Sequence, residues 1–165
     1  MKIYHHTNHN KLEPNPDYDY NRASQGLGFY FSSDQKDASR YGKNQFARDT
    51  EDFRILQDQT TNHFHSSDIA FWLDIIKEKD NTLYQDTIIN WGEDEYEARS
   101  LMIRSIMQQA GVNPVKQLQA FESELFIRDT AKWNQIAQWL GVDGILIKDP
   151  YKNGDKDLVH VIMYC

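Results

Sequence analysis

Strand-like segments gather at the two ends of the chain, whereas helical periodicity fills its middle. Residues 2–7 and 29–31 are short apolar or aromatic runs near the start, and residues 145–147 and 158–164 are apolar runs near the end. Between them, apolar residues recur at helical spacing in several segments. This order predicts an α+β fold in which the terminal strands pair in one sheet. It disfavours a doubly wound sheet, in which strands and helices alternate.

Capping residues indicate where several of these helices begin and end. Ser32 and Gln35 have the spacing of a capping box and predict a helix that runs to about Tyr41. A helix from about residue 93 is expected to end at Gly111, and one capped by Asp129 or Thr130 at Gly141. The short apolar runs at residues 53–56 and 125–127 predict two further strands.

Length and charge limit the classes of function. The 165 residues predict a single domain over residues 1–165, and no apolar run is long enough to span a bilayer. The 18 basic and 25 acidic residues give a net charge of −7, which disfavours a nucleic-acid partner. Cys165 is the one cysteine, so no disulfide can form within the chain and a cytoplasmic location is expected. The histidines lack the spacing of metal ligands, and no metal is predicted.

Three motifs carry side chains suited to chemistry. Tyr4-His5-His6-Thr7 lies in the first predicted strand, where His5 and His6 point to opposite faces. Gly28-Phe29-Tyr30-Phe31-Ser32 forms the second strand, and Tyr41 follows 11 residues after Tyr30. The third motif begins at residues 141–147 and continues, after a polar turn, with Asp157 at the start of the last strand.

Together these motifs resemble the His-Tyr-Glu branch of the ADP-ribosyltransferase superfamily. That branch includes diphtheria toxin, the poly(ADP-ribose) polymerases and many small phage and bacterial enzymes. Its first strand has a Tyr-His-Gly-Thr-like signature, in which His6 here takes the place of glycine, and its second motif reads Gly-x-Tyr-Phe-Ala or Ser. The resemblance covers residues 1–45 and 141–165. It implies a split antiparallel sheet with helices packed around it.

The resemblance also implies that the chain binds NAD as a substrate. His5 would then hydrogen-bond a ribose hydroxyl, and the backbone of His6 would bind the nicotinamide carboxamide. Tyr30 and Tyr41 would stack on the nicotinamide ring, for which rigid aromatic faces are suited. Gly28 would let the backbone approach the ligand closely. The same motifs place three more residues in the cofactor site: Thr7, Phe29 and Ser32.

A catalytic carboxylate is the third part that the resemblance implies. The family usually has a glutamate at the start of a late strand, and this chain has Asp157 in the matching place. Asp157 would join His5 and Tyr30 as a catalytic residue by stabilising an oxocarbenium-like transition state. Three other carboxylates remain alternatives: Asp149, Asp155 and Glu124.

The function implied by the resemblance is mono-ADP-ribosylation of a macromolecule, a protein rather than a nucleic acid. Such an enzyme would suit a phage or bacterial effector, for example a toxin or an anti-CRISPR protein. Two alternatives remain open. One is a catalytically silent module that keeps the NAD pocket, or only the fold, and inhibits a partner protein. The absence of a glutamate at the start of a late strand and the presence of alanine at position 38 favour this alternative. The other is an enzyme of the same fold that modifies nucleic acid.

Overall fold

The computed structural model describes residues 1–13, 26–58, 66–148 and 158–165. Its strands are β1 (Lys2–Thr7), β2 (Phe29–Ser32), β3 (Asn44–Asp49), β4 (Ile55–Gln57), β5 (Gly144–Lys148) and β6 (Val159–Met163). Its α-helices are α1 (Gln35–Ala38), α2 (Ser66–Lys79), α3 (Asn81–Ile88), α4 (Glu95–Ala110), α5 (Pro114–Leu125) and α6 (Thr130–Leu140). The chain is therefore α+β, as the sequence predicted.

The strands form one sheet in the order β3-β1-β2-β6-β5-β4. The terminal strands thus lie in the same sheet, as expected. All neighbouring strands are antiparallel except β4 and β5, which are parallel. The described sheet is therefore mixed, rather than wholly antiparallel as the resemblance implied. Its parallel pair follows from the connection, because the chain leaves β4, passes through α2 to α6 and enters β5 in the same direction.

The two faces of the sheet pack against different parts of the chain. On the helix face, Ile145 and Ile162 join a core whose other members come mainly from α2 to α6, including Trp72, Phe121 and Trp133. These three aromatic side chains are almost completely buried. Burying each of them contributes about 1.5–3 kcal/mol, so the helices stabilise the sheet through this face.

The opposite face, here called the aromatic face, has its own smaller core. Its buried members are Ile3, Phe29, Phe31, Val161 and Met163, all from β1, β2 and β6. Alternate residues of a strand point to opposite faces. This is why Ile162 lies in the helix-face core while its neighbours on either side lie in the aromatic-face core.

Several helix ends agree with the sequence, and one strand prediction is wrong. The side chain of Asp129 caps α6, and Gly111 and Gly141 follow the last residues of α4 and α6. The strand expected at residues 125–127 does not form, because α5 continues to Leu125 and Phe126 then adopts a left-handed conformation with φ 54°. Three other elements had not been predicted: β3, α3 and α5.

Candidate functional site

The candidate site lies where β1 and β2 separate. Within the described part of the chain, these strands pair only at Tyr4 opposite Ser32. By contrast, β1 pairs with β3 along its whole length, and β2 pairs with β6 along its whole length. Main-chain pairing between the first two strands thus ends before His5, and a side chain takes its place.

That side chain is the His5 imidazole, whose Nδ1 lies 2.7 Å from the main-chain oxygen of Tyr30. Because a carbonyl oxygen only accepts hydrogen bonds, Nδ1 carries the proton and donates it. Burial lowers the pKa of His5, and the Tyr30 carbonyl opposes this effect less strongly; the charges of His6 and Arg48 lower the pKa further. The ring is therefore neutral near pH 7, and its Nε2 has a lone pair that can accept a hydrogen bond.

Tyr30 does not share a face of the sheet with His5. The His5 ring contacts Phe31, with 5.3 Å between ring centroids, and Phe29 at 6.4 Å, both on the aromatic face. The Tyr30 side chain packs against the helix-face core, and its hydroxyl donates to the Gly26 carbonyl oxygen at 2.6 Å. The side chains of His5 and Tyr30 therefore cannot both line one ring-binding pocket in this arrangement.

The side chain of Tyr41 is largely exposed to solvent. This residue ends a 3-10 turn over Ser39–Tyr41, and 70% of its surface is exposed. The following residue, Gly42, is held against β1, where its carbonyl oxygen lies 3.1 Å from His6 Nδ1. The sandwich of one ring between Tyr30 and Tyr41, which the sequence suggested, is not assembled in this structure.

The remaining predicted residues of β1 lie beside His5 in sequence but make other contacts. His6 and Thr7 lie opposite Gln45 and Asn44 of β3. Thr7 Oγ1 accepts a hydrogen bond from the His9 amide at 3.2 Å. The side chain of His6 points away from the face that carries His5, as the strand period requires.

The predicted residues of β2 are largely engaged in holding the fold together. A Cβ atom at Gly28 would lie 2.5 Å from Ile162 Cγ2 and 2.9 Å from the Met163 carbonyl oxygen. Glycine is therefore required for the approach of β2 to β6; that Gly28 also lets a ligand approach the backbone stays a prediction. Ser32 Oγ accepts a hydrogen bond from the Asp34 amide at 3.1 Å, and its side chain is buried.

Of the four candidate carboxylates, Glu124 lies among the described residues. Asp157, Asp149 and Asp155 lie outside the described residues. Glu124 lies on α5, where burial raises the pKa of its carboxyl and a hydrogen bond from the Trp91 side chain partly offsets this.

Glu122, two residues before Glu124 on α5, is the most unusual carboxyl in the described structure. It is 4% exposed, and its Oε1 accepts a hydrogen bond from the Leu27 amide at 3.2 Å. Burial raises its pKa to about 8. A Cβ atom at Gly26 would lie 2.5 Å from Oε2, so the chain just before β2 is packed directly on this carboxyl. A sequence signal existed: Glu122 lies four residues after Leu118 and three before Leu125, on the buried face of α5.

The surface around His5 also includes residues that the sequence did not indicate. Phe46 lies opposite His5 in the pairing of β1 with β3, and Arg48 lies opposite Ile3. Paired residues share a face, so both point to the aromatic face, and both are partly exposed. They were missed because β3 itself was not predicted.

A groove of about 440 Å³ lies beside β1 and β3. It is lined by Lys2, Tyr4, Gln35, Gln45, Ala47, Arg48 and Asp49. Along β1 and β3, most of these residues occupy positions that alternate with those of His5 and Phe46, so their side chains point to the opposite face of the sheet. The groove therefore lies mainly on the other side of the sheet from His5. None of the described helices is long and apolar enough to cross a bilayer. Over the same residues, no three His, Cys, Asp or Glu side chains are grouped as metal ligands.

Comparison with models of known protein families finds no match for this chain. Comparison with curated proteins also finds none. Among solved structures, the chain is similar to one described as a crystal structure of an anti-CRISPR protein. The two are 14% identical with a TM-score of 0.41, over 99% of this chain and 88% of the other. A likeness this weak does not establish a shared fold or a shared function.

Proposed function

We propose that the chain is an NAD-dependent mono-ADP-ribosyltransferase that modifies a protein, with His5 as its ribose-binding residue. The observation that carries the proposal is the hydrogen bond from His5 Nδ1 to the Tyr30 carbonyl. This bond fixes the tautomer and the direction of the ring, and it leaves Nε2 able to accept a hydrogen bond from a ribose hydroxyl. The sequence motifs around His5 and Tyr30 support the same function through their resemblance to the ADP-ribosyltransferases.

In this reaction, the bond between the ribose C1′ atom and the nicotinamide nitrogen breaks and neutral nicotinamide leaves. A nucleophile of the target protein forms the new bond to C1′ and loses a proton. His5 would hold the ribose while positive charge develops on it, and a neutral imidazole avoids adding repulsion at that point. Aromatic rings on the same face offer surfaces on which the nicotinamide ring can stack; the partly exposed one opposite His5 is Phe46.

We expect His5→Ala to reduce transfer of label from labelled NAD to proteins of a host lysate by roughly 10- to 100-fold. The reason is the loss of one hydrogen bond to the ribose and of the orientation that the Tyr30 carbonyl provides. His9→Ala is the matched control, because His9 is an exposed histidine close in the chain. Labelling that persists unchanged in His5→Ala would show that another residue holds the ribose.

Asp157→Ala is expected to abolish turnover while NAD binding is largely kept. By the family resemblance, this carboxylate acts on the transition state, which forms only after NAD is bound. Release of nicotinamide and NAD affinity, measured on the same preparation, separate the two effects. If turnover persists, the acid is one of the alternatives, and Asp149, Asp155 and Glu124 are tested next.

A second candidate function is a silent binding module that inhibits a partner protein. The positions of the two tyrosines favour it, because Tyr30 faces the helices and Tyr41 is 70% exposed, so neither stacks beside His5. In that case the protein would bind NAD or ADP-ribose, or neither, and no nicotinamide would be released under any condition. If the label from NAD appears on RNA or DNA instead of protein, the result would favour the third alternative, an enzyme of the same fold that modifies nucleic acid.

A further inference from the structure

Arg48 extends from β3 onto the aromatic face, beside His5. Its Cζ atom lies 5.7 Å from the ring centroid of Phe31 and 5.4 Å from that of Phe53. A guanidinium at this distance from aromatic rings is attracted by their electron-rich faces. Two flat rings therefore fix the position of a cation that is only partly exposed.

This cation has no carboxylate partner among the residues that the structure describes. Within this part of the chain, Arg48 donates one hydrogen bond, from Nη1 to Cys165 Sγ at 3.4 Å, and a thiol is a weak acceptor. Three other arginines behave differently: Arg40, Arg54 and Arg99 form ion pairs with aspartates. Most of the five N–H donors of Arg48 thus have no partner among the described residues, and the guanidinium is partly desolvated.

The position of Arg48 relative to His5 suits two neighbouring groups of one ligand. In the pairing of β1 with β3, His5 lies opposite Phe46, and Arg48 is two residues further along β3. Such diagonal neighbours on one face are about 7–8 Å apart, which is close to the separation of a ribose hydroxyl from a phosphate of the same nucleotide. A planar guanidinium binds phosphate oxygens through two parallel hydrogen bonds.

We propose that Arg48 binds a phosphate of a nucleotide diphosphate whose ribose is held by His5. This inference rests on the proposed function, since it takes NAD as the ligand of the aromatic face. It goes further in assigning the recognition of the diphosphate to one residue of β3, with Phe31 and Phe53 holding its guanidinium in place. No bond is formed or broken by Arg48, so it acts in binding and positioning.

The test is the affinity of purified protein for ADP-ribose, NAD and nicotinamide riboside, measured by titration calorimetry. Nicotinamide riboside has the ribose and the nicotinamide but no phosphate. We expect Arg48→Gln to weaken binding of ADP-ribose and NAD by roughly 10- to 100-fold and to change that of nicotinamide riboside by less than about twofold. Added salt should weaken ADP-ribose binding in the wild type more than in this variant.

Two further variants separate binding from folding. Arg104→Gln removes an exposed arginine of α4 and should leave all three affinities unchanged. Arg48→Lys keeps the positive charge near the rings but loses the planar fork, so we expect an intermediate loss that is restricted to ADP-ribose and NAD. This variant gives the decisive comparison if Arg48→Gln does not fold.

The outcomes distinguish this inference from the proposed function. Equal affinities of wild type and Arg48 variants for ADP-ribose, or an equal loss for nicotinamide riboside, would overturn the phosphate-binding role. Failure of the wild type to bind ADP-ribose or NAD would overturn both proposals. ADP-ribose binding that depends on Arg48, without any release of nicotinamide from NAD, would support the phosphate site and reject the transferase.

Discussion

Glu122→Gln is expected to be several kcal/mol more stable than the wild type at pH 8, although it removes a charged side chain. The wild-type carboxyl is 4% exposed and accepts one described hydrogen bond, from the Leu27 amide. Burial raises its pKa from 4.5 to about 8. Glutamine has the same shape, is neutral at every pH and can still accept that hydrogen bond through its amide oxygen.

The direction in which stability changes with pH follows from whether the folded or the unfolded chain holds the Glu122 proton. Between pH 4.5 and about 8, the unfolded chain releases the Glu122 proton while the folded chain retains it. The stabilisation is therefore fully present below pH 4.5 and is lost as the pH rises to about 8. A shift of this size corresponds to roughly 5 kcal/mol at about 1.36 kcal/mol per pKa unit, taken as an order of magnitude.

Urea unfolding at pH 5, 6.5, 8 and 9 measures this effect. The wild type should lose stability across the series, whereas Glu122→Gln should lose much less. Tyr164 interacts with the charge of Glu122, and burial raises the pKa of Tyr164 well above its usual value, so this tyrosine should not ionise in this range. Glu97→Gln, at an exposed position of α4, is the control and should follow the wild type. Parallel curves for wild type and Glu122→Gln would show that the carboxyl is not buried as described.

Gly42→Ala is expected to destabilise the protein by roughly 3 kcal/mol or more and to displace Tyr41 from its position beside β1. The added Cβ would lie 2.3 Å from the carbonyl carbon of Thr7 and 2.6 Å from the amide nitrogen of Asn8. These are main-chain atoms of the segment that carries the histidine motif, so the clash cannot be relieved by a side-chain rotation. The contact of His6 Nδ1 with the Gly42 carbonyl should be lost as well.

Gly111→Ala is the matched control for this substitution. Gly111 has φ 58°, and a Cβ atom there would meet nothing within 4 Å. The control should therefore show only the backbone cost of alanine at φ 58° and ψ −132°, about 1–3 kcal/mol, without a steric clash. Thermal unfolding of both variants gives the comparison, and the fluorescence or NMR signals of Tyr41 report its environment. A Gly42→Ala variant no less stable than Gly111→Ala would mean that the turn after Tyr41 does not contact β1.

His5 shows how far sequence reasoning reached into the site. The Tyr-His-x-Thr motif predicted that His5 lies in the first strand, and the structure places it there, beside the aromatic segment of β2. The motif did not indicate that the imidazole would bond to the main chain of Tyr30. That contact depends on where pairing between β1 and β2 stops, which is a property of the sheet.

Tyr30 shows where the same reasoning ended. The strand period applied to Phe29, Tyr30 and Phe31 requires the tyrosine to face away from both phenylalanines. It does not say which face will be covered by helices. The helix-face core decided that Tyr30 packs inward, and His5 remained with Phe29 and Phe31 on the other side.

By itself, the sequence determined the α+β class, the strands at the chain ends and several helix ends, because these depend on the period of apolar residues and on capping chemistry that act within a few residues. Only the tertiary structure decided that β3 would form, that Arg48 and Phe46 would stand beside His5, and that Glu122 would be buried under Gly26. Among the described strands, β3 is a weakly apolar edge strand paired with β1, and the unusual pKa of Glu122 arises from desolvation by distant segments. Such effects come from contacts between residues far apart in the chain, which local patterns do not specify.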